Sequence, residues 1–322
     1  MTLAEVEELS AFEKQLCNNL QMGLAVCSRP YAGAASALGV DEEQVLRCTR
    51  GLVKRGVIRR IGVALNWGLL GKAGTLVAAH VEQDNLKDAV EAVNALDGVS
   101  HNYLREHHYN LWFTLRADSQ DHIEKILSDL SKRFGGVFHS LPAERIFKLD
   151  ARFDAQSDGR QLLESEKPKP EYGPVLLDET DKEILSSLQK GLEVIPEPFV
   201  VLCKGRLKID EVLGRIKAMI DKVVISRLGA IVNHNKLGFV ANAMLVCEVE
   251  QGRVVEAGEK LAKVGIVSHC YQRRTFKGWP YNLFGMMHGR KLEDIHRVAE
   301  KFVSETGIKS WQLLATAETF KK

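Results

Sequence analysis

VSHNYLRE (99–106) recurs as VSHCYQRR (267–274), a displacement of 168 residues, and this repeat decides how the chain is read, because a missed repeat misassigns the whole fold. Working outward, the order of everything else is kept. YNLWF (109–113) answers YNLFG (281–285), and IRRIGVALNWGLLG (58–71) answers ISRLGAIVNHNKLG (225–238). Nearer the N-terminus, FEKQLCNNLQMGLAVCSRPY (12–31) is answered by DKEILSSLQKGLEVIPEPF (181–199), with Gly23/Gly191 and Pro30/Pro198 again 168 apart. The chain reads as two copies of one design, diverged and fused.

Each copy divides again. Leu9, Phe12, Leu16 and Leu20 have helical spacing and end before Gly23, Pro30 suits the first turn of a second helix ending near Gly39, and Asp41 suits the N-cap of a third. The β-branched VIRRIGVALN follows, so three helices and a ribbon predict a winged helix-turn-helix. The rest of the copy alternates as β-α-β-β-α-β: GTLVAAHVE, DNLKDAVEAVNAL, VSHNYLREH, YNLWFTLRA, SQDHIEKILSDLSKRF and VFHSLPAERIF. That order is the ferredoxin-like motif. The expected class is α+β, with a winged helix at 1–63, a ferredoxin-like domain at 64–150, a second winged helix at 177–231 and a second ferredoxin-like domain at 232–322. Between them, 151–176 combines charge, Pro and Gly without periodicity and reads as an exposed linker.

Composition narrows the function classes. The 322 residues carry a formal charge of +2, with 45% hydrophobic and 27% charged residues. This describes a soluble globular protein and not a polyanion-coating one. The start, MTLAEVEELS, has neither the apolar run of a signal peptide nor a spanning helix, so a cytoplasmic protein without a membrane partner is expected. Six cysteines stand singly at 17, 27, 48, 203, 247 and 270, which fits reduced thiols and no structural zinc.

The densest chemical signal is HNYLREHHYNLWF (101–113). On one strand His101, Tyr103, Arg105 and His107 share a face. The second copy repeats it with His269, Tyr271 and Arg273, then adds Arg274, Lys277, Trp279 and Tyr281 with no acidic residue from 267 to 281. Such a lining suits a large, flat, polyanionic ligand, with rings for stacking and guanidinium groups for carboxylates. A sheet face at an oligomer interface would carry the same residues, and repeats inherit structural residues too. No metal site is expected: His101 and His107 lie about 20 Å apart on a straight strand, and no carboxylate or thiolate joins them at a usual spacing. A single imidazole on an iron carried by the ligand stays open. There is no nucleophile elbow, P-loop or dinucleotide fingerprint. Cys270 alternates to the face opposite His269 and reads as packing, and His234, His288 and His296 read as surface or loop residues.

The architecture resembles the Lrp/AsnC transcriptional regulators, which implies DNA binding and a small-molecule sensor. The third helix offers Arg47, Arg50, Lys54 and Arg55 to phosphates, but its first turn carries Asp41, Glu42 and Glu43, where carboxylates repel the backbone. Its counterpart in 203–229 reads as a packed helix, so DNA binding is disfavoured. The strings SHNYLREHHYNLWFTL, GVIRRIGVALN and LPAERIFKLDARFD resemble the NirD or AhbA type of siroheme decarboxylase subunit. VSHCYQRRTFKGWPYNLFGMMHGR and ISRLGAIVNHNKLGF resemble the NirL or AhbB type, so the likeness covers almost all of both copies.

That resemblance implies removal of CO2 from the C12 and C18 acetates of siroheme to give 12,18-didecarboxysiroheme for heme or heme d1 synthesis. It further implies no separate cofactor, since siroheme, an iron tetrapyrrole with eight carboxylates, is itself the substrate and its macrocycle takes the electron pair. It also implies a pseudo-heterodimer within one chain, with a further homo-oligomer open. On this basis His101 and His269 are candidate proton donors oriented by Tyr103 and Tyr271. Arg105, His107, Arg273, Arg274, Lys277, Trp279 and Tyr281 are candidate substrate-binding residues. A haem-responsive sensor that binds without transforming is the remaining alternative.

Overall fold

A computed structural model describes residues 6–157, 162 and 173–321. In chain order it runs α1 (Ala11–Met22), α2 (Pro30–Leu38), α3 (Glu42–Lys54), β1 (Ile58–Leu65), β2 (Ala73–Ala79), α4 (Gln83–Asn94), β3 (Val99–Arg105), β4 (Leu111–Ala117), α5 (Gln120–Phe134) and β5 (Phe138–Leu149). The second copy supplies α6 (Glu179–Lys190), α7 (Ile209–Asp221), β6 (Ile225–Val232), β7 (Ala241–Cys247), α8 (Val254–Ala262), β8 (Val267–Arg273), β9 (Leu283–Gly289), α9 (Leu292–Thr306) and β10 (Trp311–Lys321). These elements form two compact units, each drawn from both copies.

The first unit takes its described residues from 6–70 and 152–238. Its helices start where local chemistry stops the backbone amides from going unpaired. Ser10 and Glu13 close a reciprocal capping box on α1. Asp41 accepts the Gln44 amide on α3, and Asp178 accepts the Asp181 amide on α6. Pro30 opens α2, which Gly39 ends in the left-handed region at φ 68°. The second copy replaces α2 by a single 3-10 turn, Val200–Cys203. The ribbon is made between the copies: β1 pairs antiparallel with β6, with Gly62 opposite Gly229 at its centre. Each glycine lets a helix lie on the ribbon. A Cβ at Gly229 would come 2.4 Å from the Leu20 carbonyl of α1, and one at Gly62 2.8 Å from the Leu188 carbonyl of α6. Thus each copy's first helix packs on the other copy's strand.

The start of the expected exposed linker is instead packed. Arg152, Phe153 and Ala155 are buried, the Gln21 carboxamide exchanges two 2.9 Å hydrogen bonds with the Phe153 backbone, and Asn18 accepts the Ala155 amide. An apolar Phe153 amid polar neighbours outweighs the local loop composition. Residues 158–161 and 163–172 of that stretch lie outside the described residues. Three of the cations of the helix-turn-helix elements, Arg50, Arg55 and Arg215, are engaged within the unit. Arg50 donates to the Val194 carbonyl at 2.9 Å, and Arg215 meets Asp178, Asp181 and Glu211.

The second unit is built from 71–151 and 239–321. Each copy contributes a four-stranded antiparallel sheet with two helices, in the order β3-β4-β2-β5 and β8-β9-β7-β10. Neither sheet closes alone. β5 pairs with β8 and β10 with β3, giving a closed eight-stranded barrel whose two seams join the copies. Outer positions such as Val77, Ala79, Leu245 and Cys247 pack on the helices, while alternate positions Ala78, Trp112, Leu141, Met244, Val246, Phe284 and Leu314 form a shared core. Closure removes the four edges that two separate sheets would expose. Among the described residues no helix is long and apolar enough to cross a membrane.

Candidate active site

The two seams carry the repeated strand. On β3, Asn102 reaches Asn94 of α4 and Leu104 packs with the helices, so His101, Tyr103 and Arg105 occupy the other face. On β8, Cys270 belongs to the helix-side core and donates to the Gly258 carbonyl, leaving His269, Tyr271 and Arg273 on the inner face. The expectation for Cys270 as packing holds, and burial raises its thiol far above its usual range. The three planar groups on each strand lie in file. His101 and Tyr103 have centroids 6.1 Å apart, and His269 and Tyr271 6.2 Å. The guanidiniums follow, 5.4 Å from the Tyr103 ring and 4.4 Å from the Tyr271 ring.

Each arginine is buried and tied across its seam. Arg105, 4% exposed, donates to the Leu314 carbonyl at 2.6 Å and to the Thr316 hydroxyl at 3.2 Å. Arg273, 8% exposed, donates to the Leu141 carbonyl at 2.6 Å. Neither meets a carboxylate among the described residues, and the Nε of each is buried without a partner. Burial lowers both guanidiniums from 12.5 to about 10. Two buried cations without a counterion, each keeping an unused donor, are costly unless an anion joins them.

The histidines are held at Nδ1. Ser100 Oγ lies 3.0 Å from His101 Nδ1, and Ser268 Oγ 2.7 Å from His269 Nδ1, so the same edge of each ring is fixed by the serine that precedes it. Both rings are half-buried. Desolvation, opposed by the Asp150 carboxylate and aided by Arg273 and Lys148, lowers His269 to about 4, so the imidazole is neutral at pH 7. Burial raises the Tyr271 phenol, which therefore stays protonated.

His107 does not share the strand face. β3 ends at Arg105, and His107 sits in the turn beyond, its Nδ1 accepting the Tyr109 amide at 3.0 Å. The tight turn that carries Tyr109 back into β4 ends the alternation two residues early. There His107 joins a ring cluster: its edge meets Trp279 at 5.6 Å, while Tyr109 contacts His139, Phe276 and Trp279. Trp279 and Tyr281 are buried in the barrel core and do not form an open lining. Arg274 and Lys277 are exposed on the loop between β8 and β9, with Arg274 3.5 Å from Glu144.

Sequence reasoning passed over His139, which stacks on Phe276 at 3.8 Å and 4° on the inner face of β5. The alternation FHSL, with Phe138 toward the helices and Leu141 in the shared core, held the signal. Burial lowers both His107 and His139. Surface or loop positions are expected for His234 and His288: His234 does lie in the loop after β6, though off the surface, and His288 lies in neither. His234 is buried and stacks on Phe153 at 5.1 Å, and His288 is buried on β9. His296 is exposed on α9. Among the described residues no group of three or more His, Cys, Asp or Glu is placed to hold a metal ion.

With this geometry in view, comparisons with known proteins are specific. An AsnC-like ligand-binding domain matches residues 70–148 and again 236–321, and a siroheme decarboxylase NirDL-like HTH domain matches 13–59. The chain is 33% identical over 306 residues to the siroheme decarboxylase of Hydrogenobacter thermophilus, covering 94% of this chain and 91% of that protein. It is 34% identical over 278 residues to the siroheme decarboxylase NirDL subunit of Paracoccus denitrificans, covering 86% and 84%. A crystal structure of the siroheme decarboxylase NirDL in co-complex with an iron-uroporphyrin III analogue superposes with a TM-score of 0.73 at 30% identity, over 97% of this chain and 92% of that one.

Proposed function

The chain belongs to the siroheme decarboxylase family, in its fused two-subunit form, and from that premise we propose that it removes CO2 from acetate side chains of siroheme at the two seams of its barrel. The observation that carries this reading is the pair of buried arginines, each unopposed by a carboxylate and each in file with a tyrosine and a histidine. A polycarboxylate offsets the charge of both guanidiniums as well as filling their unused donors, whereas a neutral ligand would fill only the donors. The DNA-binding reading is not favoured by these relatives.

The net reaction is R–CH2–COO⁻ plus a proton giving R–CH3 and CO2. The C–C bond breaks, its electron pair passes into the substrate's own macrocycle, and a proton then forms the new C–H bond. No separate cofactor enters this proposal. The protein's tasks are to hold the other carboxylates, exclude water around the reacting one and deliver the proton. Arg105 and Arg273 serve best on carboxylates that stay, because a clamp on the departing one would stabilise the ground state. His101 and His269 deliver the proton from Nε2, with Tyr103 and Tyr271 keeping the imidazole and guanidinium planes in file. His269 is neutral in the free protein. An approaching carboxylate raises it, so substrate itself charges the donor.

The seams are not equal. Arg274 and Arg145 of the second stand where the first has Glu106 and Glu318, by position on β3/β8 and on β5/β10. Glu144, 3.5 Å from Arg274, offsets part of that difference, and the second seam is still the less anionic of the two and the better host for an anionic macrocycle. Anaerobic incubation with siroheme, followed by mass spectrometry, tests the whole reading: loss of one or two CO2 masses is expected, and none would overturn it. His269→Ala should suppress the dominant step and His101→Ala the lesser one. Two fully active variants would remove both histidines from the mechanism.

A further inference from the structure

Ser268 Oγ stands between two imidazoles, 2.7 Å from His269 Nδ1 and 2.9 Å from His288 Nε2. Both Ser268 and His288 are buried, and the Met286 carbonyl lies 3.3 Å from the same hydroxyl. His288 has no part in the chemistry described above, yet it is the second titratable group in line with the donor. The first seam lacks this arrangement. There Ser100 Oγ lies 3.0 Å from His101 Nδ1 and 2.9 Å from the Thr114 hydroxyl. His101 lies opposite Thr114 and His269 opposite Met286, so the place of His288 is taken by Arg116. Neither an alcohol nor a guanidinium exchanges protons near neutral pH as an imidazole does.

We propose that His288 is an internal proton store for the second seam, coupled to His269 through the Ser268 hydroxyl. The proposal rests on His269 as the proton donor. In the loaded state His288 is the imidazolium, its Nε2–H donating to Ser268 Oγ, while the Ser268 O–H donates to His269 Nδ1 and His269 carries its own proton on Nε2. Transfer moves the Nε2 proton of His288 to Ser268 Oγ and the former hydroxyl proton to His269 Nδ1. His269 becomes the imidazolium, His288 is neutral, and Ser268 now donates back to His288. Decarboxylation then takes the Nε2 proton of His269 to the substrate carbon as CO2 leaves. One proton has left His288 and one C–H bond has formed, with no oxidant or reductant required. The charges that bear on His269 are Asp150, which favours its cation, and Arg273 and Lys148, which oppose it. Across the sheet His288 is paired with Asn242. Arg273 and Lys148 disfavour the imidazolium at His269, so transfer toward it waits until substrate carboxylates arrive.

The test uses the intact protein. Imidazole resonances of His269 and His288, followed by NMR across pH, should shift together in two shared steps, and Ser268→Ala should make them titrate independently. In single turnover with siroheme, rates in mixtures of H2O and D2O should report more than one proton in flight for the unmodified protein. Ser268→Ala and His288→Gln should report one, with rates lower by about tenfold. Independent titration in the unmodified protein, or an unchanged isotope response in both variants, overturns the store. Full activity in His269→Ala, whatever the titration of the unmodified protein, would overturn the donor assignment and the store with it, whereas loss of activity in that variant together with independent titration in the unmodified protein would overturn the store alone.

Discussion

Replacing Arg273 by Met should separate the protein's stability from its affinity, because the guanidinium is a burden without ligand and an asset with it. Burial lowers Arg273 from 12.5 to about 10, so keeping the charge inside costs about 3 kcal/mol. A base depressed on folding penalises the fold at every pH below its folded value, and relief comes only as pH rises toward the unfolded value. The penalty is therefore complete at pH 7. Against it stands the 2.6 Å bond to the Leu141 carbonyl, worth about 1.5–3 kcal/mol for a charged donor. Met fills the site with a flexible apolar chain of similar length. The two effects nearly cancel, and calorimetry should find the free protein's Tm changed by less than about 4 °C. Affinity has no such compensation. Losing charge-assisted bonds to a carboxylate should weaken siroheme binding by about 10- to 100-fold, read from an anaerobic Soret titration. An unchanged Kd with a Tm lowered by more than about 10 °C would show that Arg273 is a strut for the seam and that the ligand argument is wrong.

Three further outcomes follow from particular positions. Val223 holds φ 58° where the first copy has Gly56 at φ 71°, a conformation that penalises a β-branched residue, so Val223→Asn should raise the first unit's Tm by about 2–4 °C. Gly229→Ala places a methyl 2.4 Å from the Leu20 carbonyl and should destabilise the same unit by about 2–4 kcal/mol in urea unfolding, while an equal loss on the second unit's transition would refute the assignment. Folding lowers His269 to about 4 and lowers His107 and His139 as well. The unfolded chain therefore takes up protons that the folded one refuses, and Tm should fall as pH drops from 6.5 to 4, less steeply in His269→Asn.

What the repeat made legible was the part of the fold that local chemistry dictates. Asp41, Pro30 and the glycines after α1 and α2 mark their helices because each satisfies or breaks the backbone within a turn. The pairing of His269, Tyr271 and Arg273 on one face followed from strand alternation alone. Long-range choices were not written locally. That β1 pairs with β6 and β5 with β8 depends on which edges meet, and no residue of IRRIGVALN announces its partner. Phe153 was lost in a polar stretch because its burial is decided by Gln21, more than a hundred residues away. His107 fell off the strand because turn geometry overrode alternation, and His288 was misjudged because YNLFGMMHG was read only as a strand, without asking which face its histidine takes.

The seams also explain why two copies of one design stay together. Arg105 of the first copy is held by Leu314 and Thr316 of the second, and Arg273 of the second by Leu141 of the first. A separated copy would leave each guanidinium without its strut and each sheet with two bare edges, so neither half could keep its own site. Building the barrel from two unlike copies frees the two seams to diverge, since a change in one no longer has to suit the other by symmetry. The divergence is visible where charge matters: Arg274 against Glu106, and His288 against Arg116. It also shows in length, where Arg273 to Tyr281 spans eight residues and Arg105 to Tyr109 four, the longer loop bringing Phe276 and Trp279 onto Tyr109. A symmetric dimer of either copy would have two identical seams. Two unlike acetates on one macrocycle are better served by two unlike seams, one cationic and supplied with a second histidine, the other carrying glutamates and none.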